Sequence, residues 1–149
     1  MATTISRLDT RELRAWRGLL RVHAQLSKAL DAQLLAAHGL PLTSYEVLMY
    51  LSDADGGRMR MNELADHVLL SRSGLTRLVD RLEREGYLER CSCAHDARGA
   101  FAVLTQAGRE KVEAARVTHL AGVRELFLSH FSDDELDVLG AAWDRLLGS

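Results

Sequence analysis

The stretch that most restricts what this chain can fold into runs from Ser71 to Gly86. At 100° per residue, a helix over Arg72–Glu85 places Leu75, Leu78, Val79 and Leu82 on one face. Ser73, Arg77, Asp80 and Arg84 fall on the opposite face, with Thr76 on its flank. Ser71 is placed to cap this helix and Gly86 to close it. Upstream, Asn62 reads as the cap of a shorter helix from Glu63 to about Leu69, with small Ala65 where the two helices must approach. Leu75, ten residues after Ala65, is the buried anchor of the second helix. Downstream, Tyr87–Arg90 and Ala100–Leu104 read as two short strands around a polar turn, Cys91–Gly99. Two short helices, a tight turn and a hairpin predict a winged helix-turn-helix: mainly α, with a small β-hairpin wing.

The flanking sequence predicts four more helices, six in all. Asp9 with Glu12 reads as a capping box stapled by Leu8 and Leu13. Leu13, Trp16, Leu19, Leu20, His23, Leu26, Leu30 and Leu34 then keep a helical period to a stop at Gly39. A helix over Thr10–His38 runs roughly 43 Å, too long for one face of so small a domain. Thr43 with Glu46 reads as a second capping box, stapled by Leu42 and Val47, with the break at Asp53–Gly57. Thr105 starts a long helix carrying Val112, Ala115, Leu120, Val123 and Phe127 on one side. Ser132 with Glu135 is a third capping box, opening a last helix expected to bury Leu136, Leu139, Trp143 and Leu146. The expected division is an N-terminal helical region over 1–42, a winged domain over 43–105 and C-terminal helices over 106–149.

A chain of 149 residues with 47% hydrophobic and 27% charged residues falls among ordinary globular proteins, and one proline excludes a proline-rich scaffold. Its apolar runs stop short of the ~18 residues that cross a bilayer. With no charged-then-apolar leader, a cytoplasmic location is expected. Net charge is −2, but the distribution says more: Arg58–Gly99 holds eight Arg against seven acids, and Ala100–Ser149 five basic residues against eight acids. A polyanion-binding face is therefore expected in the middle segment. Arg there can grip guanine O6/N7 or phosphate with two donors, and Ser71 leaves free helix N–H groups for a phosphate. A plain solvated helix face is the bland alternative, kept alive by Asp80, Glu83 and Glu85, which would repel DNA on contact. In the turn, Asp96 and Arg98 can pair, and Arg98 at a loop tip can enter a narrow minor groove. An exposed ion pair is the alternative there.

Cys91 and Cys93 are too close together for a secreted disulfide framework. In an extended strand their Cα atoms stand ~6.7 Å apart, near the upper limit for a bridge. A thiol switch that moves the wing is one reading, and two small hairpin residues the plainer one. With His95 they lack the usual spacing of a zinc site.

The run Asn62–Gly108 resembles the MarR (multiple antibiotic resistance regulator) family of winged-helix transcription factors. The resemblance is carried by Glu63-Leu-Ala65, the whole of Leu70–Gly86, Leu88-Glu-Arg90, Asp96-Ala-Arg-Gly99 and Leu104-Thr-Gln-Ala-Gly108. It implies an obligate homodimer whose N- and C-terminal helices interlock as a dimerisation region and whose winged domains meet a pseudo-palindromic operator. It also implies base reading by Ser73, Thr76 and Arg77 and a minor-groove contact by Arg98. Many members carry a second Arg where Ala97 stands. The expected DNA-binding set is Ser71, Arg72, Ser73, Thr76, Arg77, Arg81 and Arg84 with Asp96 and Arg98. The terminal helices agree with a dimer on their own account, because they carry more large apolar residues than a ~60-residue winged domain could cover.

The resemblance further implies a repressor released by a small aromatic or phenolic acid in a cleft beside the winged domain. Trp16, His23, His38, Tyr45, Met49 and Tyr50 are the candidate lining, against the alternative that Trp16 and Tyr45 are ordinary packing groups. No Gly-rich phosphate loop, H-E-x-x-H or G-x-S-x-G is present, so neither an enzyme nor a cofactor is expected. The rival reading is a winged helix used for protein contact through its acidic residues.

Overall fold

The computed structural model describes residues 6–68, 70–92 and 99–148. Among the described residues there are six α-helices: α1 (Thr10–His38), α2 (Leu42–Asp53), α3 (Met61–Val68), α4 (Arg72–Arg84), α5 (Gln106–Leu126) and α6 (Asp133–Leu147). Among the described residues the sheet has three strands, β1 (Arg58–Arg60), β2 (Leu88–Cys91) and β3 (Phe101–Leu104), in the antiparallel order β1-β3-β2. The expected hairpin is β2 and β3, each starting one residue later than read from sequence. β1 is an addition: Arg-Met-Arg carries no alternation long enough to announce a strand, and it extends only by pairing Arg58 with Val103 and Arg60 with Phe101.

Local signals decide most helix ends. Asp9 and Glu12 form the expected capping box, as do Ser132 and Glu135, and Thr105 caps α5 through the Gly108 N–H. Gly39 ends α1 at φ 63°, a conformation costly for any residue with a Cβ. Two expected caps do not form. α2 begins at Leu42 behind Pro41, with no side-chain cap, and the Leu42 N–H instead donates to Asp31 Oδ1 of α1 at 2.8 Å. Thr43 therefore lies inside the first turn, where its hydroxyl is past the capping position. α3 begins at Met61, whose N–H donates to the Ala100 carbonyl at 3.0 Å, so Asn62 is also a first-turn residue.

The buried core belongs to the middle of the chain. Val47, Leu48 and Leu51 of α2, Leu64 of α3, Leu75, Val79 and Leu82 of α4, Leu88 of β2 and Ala102 of β3 pack together. α1 adds Leu34 and α5 adds Val112 and Ala115. α5 crosses α1 closely at Gly122, where a Cβ would collide with the Gln33 side chain. The terminal helices behave differently. α1 buries only Leu34, and α6 buries none of its residues. The expected burial of Leu136, Leu139, Trp143 and Leu146 is therefore not met within one chain: Leu136 and Leu139 are half-buried, and Trp143 and Leu146 are exposed. Trp16, Leu19, Leu20, Val117, Val138, Trp143 and Leu146 are exposed large hydrophobics.

Candidate nucleic-acid interface

The candidate site is built on α4. Its start is fixed by Ser71, whose Oγ accepts from the Gly74 N–H at 3.1 Å and lies 3.2 Å from Ser73 Oγ. Leu75, Leu78, Val79 and Leu82 dock the helix on the core, as its period predicts. The docking leaves Arg72, Ser73, Thr76, Arg77, Arg81 and Arg84 exposed. Thr76 Oγ1 donates to the Arg72 carbonyl at 2.8 Å, so its hydroxyl is occupied in this state.

The two flanks of α4 differ in charge. On the flank facing β2, Arg90 engages two of the three acids that argued against DNA contact, and Glu85 stays exposed. Its side chain pairs with Asp80 and donates to the Thr76 carbonyl, while its backbone N–H donates to Glu83 Oε2 at 2.8 Å. The strand following α4 thus brings a counter-charge to Asp80 and a hydrogen-bond donor to Glu83. On the flank facing α2, Arg77, Arg81 and Arg84 line a cleft of about 320 Å³ together with Thr43, Leu70 and Gly74. Arg81 Nη2 donates to Ser44 Oγ at 2.9 Å, and Ser44 is 1% exposed.

Sequence reasoning left out Arg90, Ser44 and the β1 arginines. Arg58 and Arg60 both set their guanidinium carbons over the Phe101 ring, at 4.2 and 4.7 Å from its centroid. The two-residue spacing of Arg58 and Arg60 was the only available signal. Arg90 needed the strand register to be known, and Ser44 the packing of α2 on α4. Of the wing residues, Cys91 is an exposed thiol at the end of β2. Cys93, Asp96 and Arg98 lie outside the described residues.

The family model described as MarR family matches residues 38–99, which spans α2 to the wing. AbsC, a MarR family transcriptional regulator from Streptomyces coelicolor, is 34% identical, with 97% of this chain and 99% of that one covered and a TM-score of 0.87. Sco3205, from the same organism and solved in complex with DNA, is 31% identical over 95% of this chain and 92% of that one, with a TM-score of 0.89. The transcriptional repressor YetL of Bacillus subtilis is 26% identical, covering 97% of this chain and 88% of the relative. The chain belongs to the MarR family of transcriptional regulators.

In this MarR chain Trp16 stands apart from His38, while His38 and Tyr45 contact adjacent residues of α5, Thr118 and His119. Trp16 and His38 sit on one helix, separated by roughly 33 Å of helical rise. Trp16 is 54% exposed, and His23 is also exposed. Tyr45 is a core residue whose ring lies 4.6 Å from that of His119, and burial pushes its phenol above the ordinary range. Burial likewise pushes His119 below the usual histidine range. His38 Nε2 lies 2.7 Å from Thr118 Oγ1, and its carbonyl accepts from Lys111 Nζ at 2.6 Å. Met49 and Tyr50 are half-buried, Tyr50 stacking on His67 at 4.9 Å. No helix among the described residues is long and apolar enough to cross a membrane, and no group of three or more metal-ligating side chains occurs among them.

Proposed function

We propose that this chain is a repressor that binds an inverted-repeat DNA duplex as a homodimer, with α4 of each subunit in the major groove and Arg98 of each wing over the adjacent minor groove. The observation that carries the reading is the state of the α4 surface. Its outward side chains are hydroxyls and guanidinium groups with one carboxylate, Asp80, which pairs with Arg90, and Glu83 on the flank accepts from the Arg90 backbone N–H. A major groove admits one such helix, and an arginine there can hold guanine O6/N7 with two donors. Sco3205, a relative of similar fold solved in complex with DNA, supports a DNA partner.

The dimer follows from the uncovered apolar faces of residues 1–42 and 106–149. A second copy would cover them through a two-fold interface, which sets the two α4 helices a whole number of DNA turns apart. Repression is favoured by the name of the relative YetL. Release by a small aromatic acid would use a set around His38 and Tyr45, which meet adjacent residues of α5, with Trp16 standing apart from it.

The test is selection of bound fragments from random duplex DNA, repeated with a panel of aromatic acids and with a thiol oxidant. An inverted repeat is expected, with binding that weakens steeply with salt. Arg77→Ala should cost about 1–3 kcal/mol and relax one base preference per half-site. Recovery of no enriched sequence would defeat the reading. Release by an acid supports the effector arm, and release by oxidant alone supports a thiol switch at Cys91 and Cys93.

A further inference from the structure

We infer that the cleft between α2 and α4 is a seat for one backbone phosphate of the bound duplex in each half-site, with Arg81 as the gripping group and Ser44 as the residue that positions it. The inference rests on the DNA-binding reading and adds a second element, α2, to the interface. Three arginines, Arg77, Arg81 and Arg84, line the cleft, and among the described residues no carboxylate does. Among the described residues none of the three takes part in an ion pair. Three cations converging without a counter-charge repel one another, and an anion from outside relieves that repulsion. This separates them from Arg90, whose charge is already met by Asp80.

Position decides between phosphate and base. On the helical wheel Arg77 and Arg84 point away from the apolar face, while Arg81 turns about 40° further towards α2. There the fully buried Ser44 hydroxyl accepts one of its N–H groups. A guanidinium tied to the domain body cannot follow a base edge down the groove, but it can meet the strand that rims the groove. It keeps its remaining donors for a phosphodiester oxygen, the geometry that guanidinium forks match best. Exposed Thr43, on the far wall, brings a hydroxyl that can donate to the same oxygen. Arg77 serves as the base reader, Arg81 as the phosphate clamp and Ser44 as a positioning residue.

The test uses the full chain and its selected operator, with single phosphates replaced in turn by neutral methylphosphonates. In the parent, one position per half-site should weaken binding about tenfold. In Arg81→Gln that position should become silent while the others keep their effect, and the logarithmic salt slope should fall by about 1.8 for a dimer losing two contacts. Base preference should be unchanged, unlike in Arg77→Ala. Ser44→Ala and Thr43→Ala should show the same coupling in weaker form, and exposed Thr43 serves if an Arg81 variant fails to fold. Methylphosphonate effects that add independently to every variant at every position would overturn the inference while leaving the DNA reading intact. A parent that binds no duplex would overturn both. Displacement of the operator by millimolar inorganic phosphate in the parent, with no coupled position on the duplex, would assign the cleft to a free anion instead and overturn the inference.

Discussion

Leu48 and Leu20 are the same residue on two amphipathic helices, yet Leu48 is 0% exposed and Leu20 50%. The contrast extends to their surroundings. From α2 to β3 the apolar residues close on one another within a single chain, while those of α1 and α6 face outward in rows. Helical periodicity reports that a face is apolar, not what covers it. The middle of the molecule, the proposed reading head, closes on a core to which α1 and α5 add Leu34, Val112 and Ala115, and the ends carry apolar faces that the proposed dimer would cover.

The largest expected effect breaks the second half of that contrast. Trp16→Glu or Leu20→Glu places an unpaired charge in the proposed interface twice, once per subunit. Desolvating it should convert the dimer to monomers and lower operator affinity at least about a hundredfold. Light scattering and a binding titration check both, and circular dichroism should show the helices retained. The complementary change, Leu48→Ala, should cost about 2–5 kcal/mol of stability in denaturant melts, because it opens a cavity in a packed core. If Leu20→Ala cost as much in the isolated monomer, the contrast would be void.

A smaller effect sharpens the account of the reading head. Arg90→Ala leaves Asp80 facing the duplex without its counter-charge, while Glu83 keeps its backbone N–H partner at position 90. Operator binding should weaken by about 1–2 kcal/mol with base preference unchanged, and the double variant with Asp80→Asn should recover most of it. The smallest effect concerns His119, which burial holds in its neutral form. Its folded pKa lies below the ordinary 6.5, so the unfolded chain binds more protons near that pH. Stability should therefore be complete above about 6.5 and fall as pH drops below it. His119→Phe should flatten that part of the profile.

What could be read from sequence follows the same division. Ser71, Gly86, Thr105 and the boxes at Asp9 and Ser132 are local patterns, and each forms as its residues dictate. The Thr43–Glu46 pattern is equally local and fails, because Asp31, eleven residues away, takes the N–H at the start of α2. The outward face of α4 was legible because a helix of fixed period has only one way to bury four apolar residues. Its charge state was not, since Asp80 and Glu83 change from obstacles to engaged groups only when β2 brings Arg90 beside them. β1, Ser44 and the cleft are likewise products of packing between elements distant in sequence.

The central claim is that two reading heads act on one duplex because their ends pair. The most direct measurement is the stoichiometry of the protein with its selected operator, by sedimentation equilibrium at working concentration. Two chains in solution and two chains per inverted repeat are predicted. A single chain in solution that binds an isolated half-site as tightly as the full repeat would contradict it.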